Sequence, residues 1–198
     1  MPSGAVANLG VEMDDIWELR RENERLRQYV DELEGKIAFL GQHAKLAKGM
    51  VGEKLISKLV DGELTVHTAS SDVNLPDGTL IEVKHSKFGA STKGYESGRR
   101  WQWQKIFGET GAKTYDYLML VGDADPAFAD KYRDPVSPFV IFCVPFSEVS
   151  QLCIKGTKGA RGMQLLTNPD RARGTSSALF RDYQVTTAEL ATRFGRLG

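Results

Sequence analysis

Two carboxylates and one ammonium group near the middle of this sequence have a spacing that could hold a divalent cation: Asp72, Glu82 and Lys84. Asp72 and Glu82 lie in two short alternating segments on either side of a Pro-Asp-Gly sequence at residues 76–78. Pro suits the second position of a type I turn and Gly the left-handed residue of a three-residue loop, so these segments predict a β-hairpin. In that register Asp72 lies directly opposite Glu82, and Lys84 points to the same face.

The other face of the predicted hairpin is apolar and carries Val73, Leu75, Ile81 and Val83. Two carboxylates about 5 Å apart across a strand pair repel each other unless a positive group lies between them. A divalent cation is the simplest such group. A turn that is one residue longer or shorter would move Asp72 off this face, and a face that is merely charged is the alternative interpretation.

The same segment resembles the D…(D/E)xK signature of the PD-(D/E)XK nuclease superfamily. Asp72 is followed by a gap of nine residues and then by Glu82, a valine and Lys84. Glu53, nineteen residues before Asp72, stands where members of this superfamily often carry a further acidic residue. The Pro that usually precedes the first acid is replaced by Ser71, whereas the literal Pro-Asp pair of this sequence lies in the turn.

The resemblance implies phosphodiester hydrolysis that leaves 5′-phosphate ends, with Mg²⁺ as cofactor and Mn²⁺ as a possible substitute. Such hydrolysis needs an activated water, neutralised charge at phosphorus and a stabilised leaving oxygen, and Mg²⁺ can supply all three. Asp72 and Glu82 would hold the ion, with the Val83 carbonyl as a further oxygen ligand. By resemblance, Glu53 would bind a second ion or a metal-bound water. Lys84 would position the attacking water.

An earlier stretch has the heptad pattern of a leucine zipper. One seven-residue register holds Ile16, Asn23, Val30 and Ile37, and the other holds Leu19, Leu26, Leu33 and Leu40. β-Branched residues at a and Leu at d favour a parallel two-stranded coil, and the lone polar Asn23 would fix its register. A single amphipathic helix packed on its own domain is the alternative. We expect a disordered tip and a dimerising coiled coil over residues 1–43, and a nuclease domain over residues 44–198.

The formal net charge is zero, yet basic side chains concentrate in two segments. Residues 84–113 hold seven Lys and Arg against two acids, and residues 155–181 hold six against one. A DNA cleft needs only local positive potential, although each segment alone fits an ordinary solvated surface. The residues expected to contact DNA are Lys87, Lys93, Arg99, Arg100, Gln102, Gln104, Lys155, Lys158 and Arg161.

With 198 residues, of which 41% are hydrophobic, the chain can bury the core of one domain with an appendage. It has no signal peptide and no apolar run near about 18 residues, so we expect neither export nor membrane insertion. Cys143 and Cys153 suit a reducing compartment better than a disulfide framework, and their spacing excludes a zinc site. These features predict a cytoplasmic protein.

The fold class expected is α/β, with a mixed central β-sheet flanked by helices as in a restriction-endonuclease-like core. The element order of that superfamily is helix, three strands, helix, strand, strand. The segments that match it are a helix ending at residues 61–62, strands at 63–68, 117–121 and 139–144, and a second helix at 95–107. On that second helix the Trp residues would anchor the core, and at most one of Gln102 and Gln104 would face the site.

Three further local patterns lie downstream of these strands. Ser147 is expected to cap a short helix that runs through Cys153. Residues 155–162 form a basic, Gly-rich segment that predicts a flexible loop, either a DNA-recognition loop or a plain surface loop. Thr186 and Glu189 have the spacing of a capping box, which predicts a last helix ending near Leu197.

Together these patterns predict a Mg²⁺-dependent endodeoxyribonuclease that cuts double-stranded DNA as a homodimer, most directly a type II restriction endonuclease. A Holliday-junction resolvase or a non-specific defence nuclease is the alternative within this class. A non-catalytic DNA-binding dimer or a coiled-coil adaptor is the alternative from another class. The intact set of Asp72, Glu82 and Lys84 argues against both of the latter.

Overall fold

The structure, a computed structural model, describes residues 16–31, 44–65, 71–89, 98–108, 111–155 and 161–195. The chain separates into two units, Met1–Ala47 and Lys48–Gly198. Within the described ranges, every helix is too short or too polar to cross a membrane.

The elements are named here in chain order. They are α1 (residues 16–31), α2 (Ala44–Val60), β1 (Glu63–Leu64), β2 (Val73–Asn74), β3 (Leu80–Ser86), β4 (Arg100–Gln104), β5 (Tyr117–Asp123), β6 (Phe139–Pro145), α3 (Phe146–Leu152), β7 (Ile154–Lys155), β8 (Arg161–Leu166), α4 (Thr175–Ala178), β9 (Gln184–Val185) and α5 (Thr187–Phe194). Short 3₁₀ helices lie at Pro126–Lys131 and Pro169–Arg171, and a π-helical turn lies at Leu179–Tyr183.

The central sheet is mixed but mostly antiparallel. Its six strands follow the order β1, β2, β3, β5, β6, β9, and only β3 and β5 run parallel to each other. A second sheet has three antiparallel strands in the order β4, β8, β7. The prediction of an α/β fold with a mixed central sheet flanked by helices is therefore confirmed.

The hydrophobic core lies on both faces of the central sheet. On one face, α2 and α5 pack Ile56, Val60 and Leu190 against the sheet. On the other face, the second sheet contributes Trp101 and Trp103. Because both faces are covered, β5 and β6 are buried over most of their length, as the continuous apolar runs predict.

The second helix expected at residues 95–107 is wrong where the structure describes it, because Arg100–Gln104 forms strand β4. Polar and apolar residues alternate there with a period of two, which is the strand pattern. Trp101 and Trp103 are buried, as expected, and their indole N–H groups donate to the Asp123 and Val121 carbonyls at 2.9 and 3.0 Å. A strand of the second sheet thus lies in the crossover where the superfamily order has a helix.

Two smaller expectations are also corrected. Helix α3 begins after Pro145 rather than at Ser147, since the Phe146 N–H donates to the Asp116 carbonyl at 2.9 Å and no side-chain cap is present there. Lys155 and Arg161 are not loop residues but pair with each other as β7 and β8. The final capping box is confirmed, and its helix α5 ends at Phe194.

Helix α2 ends as the sequence predicts. Asp61 takes a positive φ of 51°, and the Gly62 N–H donates to the Ser57 carbonyl at 3.0 Å. The left-handed residue turns the chain toward β1. This turn lets α2 lie against the apolar face of β2 and β3.

Replacing Gly122 with Ala should destabilise the protein by about 1–3 kcal/mol, because extra volume in a packed core forces neighbours to shift. A Cβ atom at Gly122 would lie 2.5 Å from Trp101 Cε2 and Nε1, which are enclosed by the core. Urea unfolding followed by tryptophan fluorescence measures the change. Gly89→Ala is the matched control, since no atom of the described residues lies within 4 Å of its Cβ position. Equal unfolding midpoints for the two variants would contradict this packing.

Candidate active site

The hairpin at the centre of the site has the predicted three-residue turn. The Leu75 N–H donates to the Thr79 carbonyl at 2.9 Å, and Gly78 has a φ of 88°. Val73 pairs with Ile81, so the register continues to Asp72 opposite Glu82. This pairing confirms the alignment on which the interpretation of the acidic pair depends.

The two faces of the hairpin are segregated as predicted. Val73, Leu75, Ile81 and Val83 are buried in the core beneath α2. Because side chains alternate along a strand, Glu82 and Lys84 point to the opposite face of β3. Lys84 Nζ donates to Glu82 Oε1 at 2.5 Å, which holds the lysine beside the acidic pair.

Asp72 is fixed by the backbone of the neighbouring strand. Its Oδ2 accepts the Val83 N–H at 2.8 Å, beyond the end of β2, while its own N–H donates to the Ile81 carbonyl at 3.0 Å. The N–H and C=O of one strand residue point to the same side, so the Val83 carbonyl faces the edge where Asp72 lies. This orientation suits the Val83 carbonyl for the ligand role that the resemblance implies.

Glu82 is fully buried although it carries an ionisable group. Burial raises the pKa of its carboxyl, and the nearby Asp72 adds to that effect, while the Lys84 charge and the contact with Lys113 act against it. Lys113 Nζ forms an ion pair with Oε2, and apart from Lys113 no described residue donates a hydrogen bond to this oxygen. A divalent cation that replaced Lys113 would therefore have no other hydrogen-bond donor to displace from this oxygen.

Lys113 is a site residue that the sequence analysis missed. Its Nζ lies 3.5 Å from Asp72 Oδ1 and also contacts Glu82. Burial lowers the pKa of Lys113, but its hydrogen bond to Glu82 and the two acidic charges outweigh burial and raise the pKa above its ordinary value. The only sequence signal is that Lys113 ends the basic segment 84–113, which does not identify it among seven basic residues.

The donor set fits a hard divalent cation that keeps several waters. The carboxylates of Asp72 and Glu82 meet where β2 ends beside β3, and the Val83 carbonyl points to the same side of β3. Mg²⁺ is typically bound by one or two carboxylates together with substrate phosphates, rather than by an all-protein cage. In the described parts of the chain, no three His, Cys, Asp or Glu residues are grouped to hold a metal.

Glu53 lies on the helix that covers the opposite, apolar face of the hairpin. The adjacent Gly52 packs closely on β3, since a Cβ there would lie 2.9 Å from His85 Cβ and 3.3 Å from Val83 Cγ1. The role of Glu53 toward a second ion stays a prediction. His85 itself makes a 2.7 Å contact with Asp123 through Nε2.

The residues expected to contact DNA fall into different environments. Arg99 Nη1 donates to the fully buried Asp125 at 3.0 Å, so a phosphate contact that broke this ion pair would leave a buried carboxylate without its cationic partner. Gln102 and Gln104 are both exposed on one face of β4, which corrects the expectation that only one could face a ligand. Lys93 and Lys158 lie outside the described residues.

The other predicted contacts in the described parts of the chain lie on β4, directly after β3 or in the β7–β8 pair. Arg100 precedes Gln102 by two residues on β4, and its Nη1 donates to Gln164 of β8 at 3.2 Å. Lys87 is exposed directly after β3. Lys155 and Arg161 lie at the end of the β7–β8 pair.

The heptad residues within the described part of the N-terminal stretch are all solvent-exposed on α1. The exposed fractions are 48% for Ile16, 68% for Leu19, 53% for Leu26 and 49% for Val30. Asn23 is exposed as well. Leu33, Ile37 and Leu40 lie outside the described residues.

No protein-family model matches this sequence, and no curated protein shows significant similarity to it. The likeness to PD-(D/E)XK nucleases therefore rests on the signature residues and on the hairpin geometry around them.

Proposed function

We propose that this chain is a Mg²⁺-dependent endodeoxyribonuclease of the PD-(D/E)XK type that cuts double-stranded DNA as a homodimer. The observation that carries the proposal is the register of β2 and β3, which brings Asp72, Glu82 and Lys84 to one face. A type II restriction endonuclease is the form favoured. A Holliday-junction resolvase and a non-specific defence nuclease are the alternatives within the class.

In this proposal Asp72, Glu82 and the Val83 carbonyl hold the cation. A bound Mg²⁺ would lower the pKa of a coordinated water and neutralise charge on the scissile phosphate. Asp72 is preorganised for this role because the Val83 N–H already fixes its other oxygen. Lys84, held against Glu82, orients the attacking water and offsets negative charge as it develops.

DNA contacts are proposed for the exposed polar row of β4 and for Lys87. The Gln102 N–H donates to Ser86 Oγ at 3.0 Å, which joins β4 to the end of the strand that carries Glu82 and Lys84. Gln amides can hydrogen-bond adenine edges, and Arg100 can contact guanine or phosphate. A β-sheet face that enters a groove is an established mode of DNA recognition.

Dimerisation is proposed through the apolar stripe of α1. Its large exposed side chains at a and d positions are the kind that a parallel coiled coil buries. One centre cuts one strand. Two centres related by a dyad would cut both strands at a symmetric site, as a restriction enzyme requires.

One observation favours a second candidate function, a non-catalytic DNA-binding dimer. Lys84 and Lys113 contact the acidic pair, so two ammonium groups balance the charges of Asp72 and Glu82. Such a charge-balanced cluster can have a purely structural role, in which it stabilises the fold without binding a metal. The two candidates differ in whether Mg²⁺ binds and DNA is cut.

Incubation of unmethylated genomic DNA with the full-length protein and Mg²⁺ should give discrete fragments whose sequenced ends share one motif. Addition of EDTA should prevent cutting, because the acidic pair alone cannot supply the Lewis acid. Random ends would favour a defence nuclease, and cutting restricted to four-way junctions would favour a resolvase. Intact DNA with Mg²⁺ or Mn²⁺, together with a shift in DNA mobility, would support the non-catalytic candidate instead.

A further inference from the structure

Lys113 occupies the position between the two carboxylates where the charge argument requires a positive group. Its ammonium lies 3.5 Å from Asp72 Oδ1 and contacts Glu82 Oε2. These two oxygens are the ones left over after the Val83 N–H and Lys84 have bonded the other two. Lys113 and a divalent cation would therefore bind the same oxygen atoms.

The two lysines of the cluster differ in how they are held. Lys84 belongs to β3, and its position along the strand is set by parallel pairing with β5. Lys113 follows the turn around Gly108, where φ is 74°, and its backbone N–H donates to the Phe107 carbonyl at 2.9 Å. Its side chain is 20% exposed, so its four-carbon stem has a route toward solvent.

We propose that Lys113 is a tethered counter-ion that neutralises Asp72 and Glu82 until a divalent cation displaces it, and that its ammonium then contacts a DNA phosphate beside the cut. This inference rests on the proposed nuclease function. One side chain would thereby lower the affinity for metal in free protein and raise the affinity for DNA once metal is bound. The acidic pair would have a cationic partner in both states.

The displacement is tested by titrating full-length protein with Ca²⁺ in a calorimeter. Lys113→Met should bind Ca²⁺ about tenfold more tightly than wild type, because charge-assisted contacts no longer compete. Lys58→Met, which removes an exposed lysine of α2, should bind as wild type does. Asp72→Asn should lose binding, which identifies the site that is being titrated.

Chemical labelling distinguishes displacement of Lys113 from a purely electrostatic effect, in which its charge weakens Ca²⁺ binding although the side chain stays in place. The reactivity of the Lys113 amine toward an acylating reagent, measured by mass spectrometry, should rise several-fold when Ca²⁺ is added, since an ion-paired amine is shielded. The reactivity of Lys58 should not change. Tighter Ca²⁺ binding by Lys113→Met with unchanged Lys113 labelling in wild type would overturn displacement.

The phosphate contact is tested by the salt dependence of DNA binding. The logarithm of the DNA-binding constant falls linearly with the logarithm of the salt concentration. With Ca²⁺ present, this fall should be steeper for wild type than for Lys113→Met by about 0.9, the value for one phosphate. With EDTA the two slopes should agree. Equal slopes and equal Ca²⁺ affinities would overturn this inference while leaving the nuclease proposal intact, whereas a wild type and Lys113→Met that both fail to bind Ca²⁺ would overturn both.

Discussion

Replacing Glu82 with Gln should lower the rate of DNA cleavage at least about a hundredfold, because even residues that only support metal ligands contribute up to about that much. Gln has nearly the same shape, so the fully buried position keeps its packing while losing its charge. Asp72→Asn should have the same effect, and the Asn oxygen can still accept the Val83 N–H. The measurement is the initial loss of supercoiled plasmid in Mg²⁺, with circular dichroism as the check on folding.

The matched control for these variants is Asp77→Asn. Asp77 belongs to the literal Pro-Asp pair, yet it lies exposed in the turn, where its Oδ1 accepts the Thr79 N–H at 2.9 Å. It should cleave at the wild-type rate. If Asp77→Asn were inactive and Asp72→Asn active, the catalytic acid would be Asp77 of the turn and not Asp72. Full activity of Glu82→Gln would remove the metal assignment.

On the proposed function, placing Glu at both Leu19 and Leu26 should replace duplex cutting by a dimer with strand nicking by a monomer. Each Leu buried against a partner helix contributes about 1.5–3 kcal/mol, and the new acids would also repel one another across the dimer axis. In the single chain both side chains are more than half exposed, at 68% and 53%, so the core of the protein should be unaffected. Sedimentation should give a monomer, and plasmid should accumulate as nicked circles before any linear form appears.

Arg21→Glu is the control for charge on the same helix. Arg21 follows Leu19 by two residues and takes an outward heptad position. The Arg21→Glu protein should therefore remain dimeric and linearise plasmid directly. A doubly substituted protein that still sediments as a dimer and linearises plasmid would show that the unit Lys48–Gly198 associates through another surface. The α1 stripe would then serve a different partner.

The hairpin could be predicted from sequence because its causes are local. Turn chemistry and two-residue alternation fix the register within fifteen residues of chain, and that register alone brings Asp72 opposite Glu82. Lys113 could not be predicted in this way. It lies 41 residues from Asp72 in sequence, and only the tertiary path after β4 brings its side chain to the acidic pair.

For β4 the local pattern itself was misinterpreted, because a helical period was assigned to residues that form a strand. Within Arg100–Gln104 polar and apolar residues alternate strictly, which is the period of a strand and not of a helix. The Trp residues are core anchors under either interpretation, so their burial did not distinguish helix from strand. The strand assignment matters for function, because it places Gln102 and Gln104 side by side.

In the turn at residues 76–78, substitutions should have different consequences from insertions or deletions. Its residues are exposed, and apart from the positive φ at Gly78 their identities are not fixed by packing. One inserted or deleted residue would instead rotate Asp72 toward Ile56 and Val60, placing an acid in the apolar layer beneath α2. We therefore expect this turn to tolerate changes in composition but not in length.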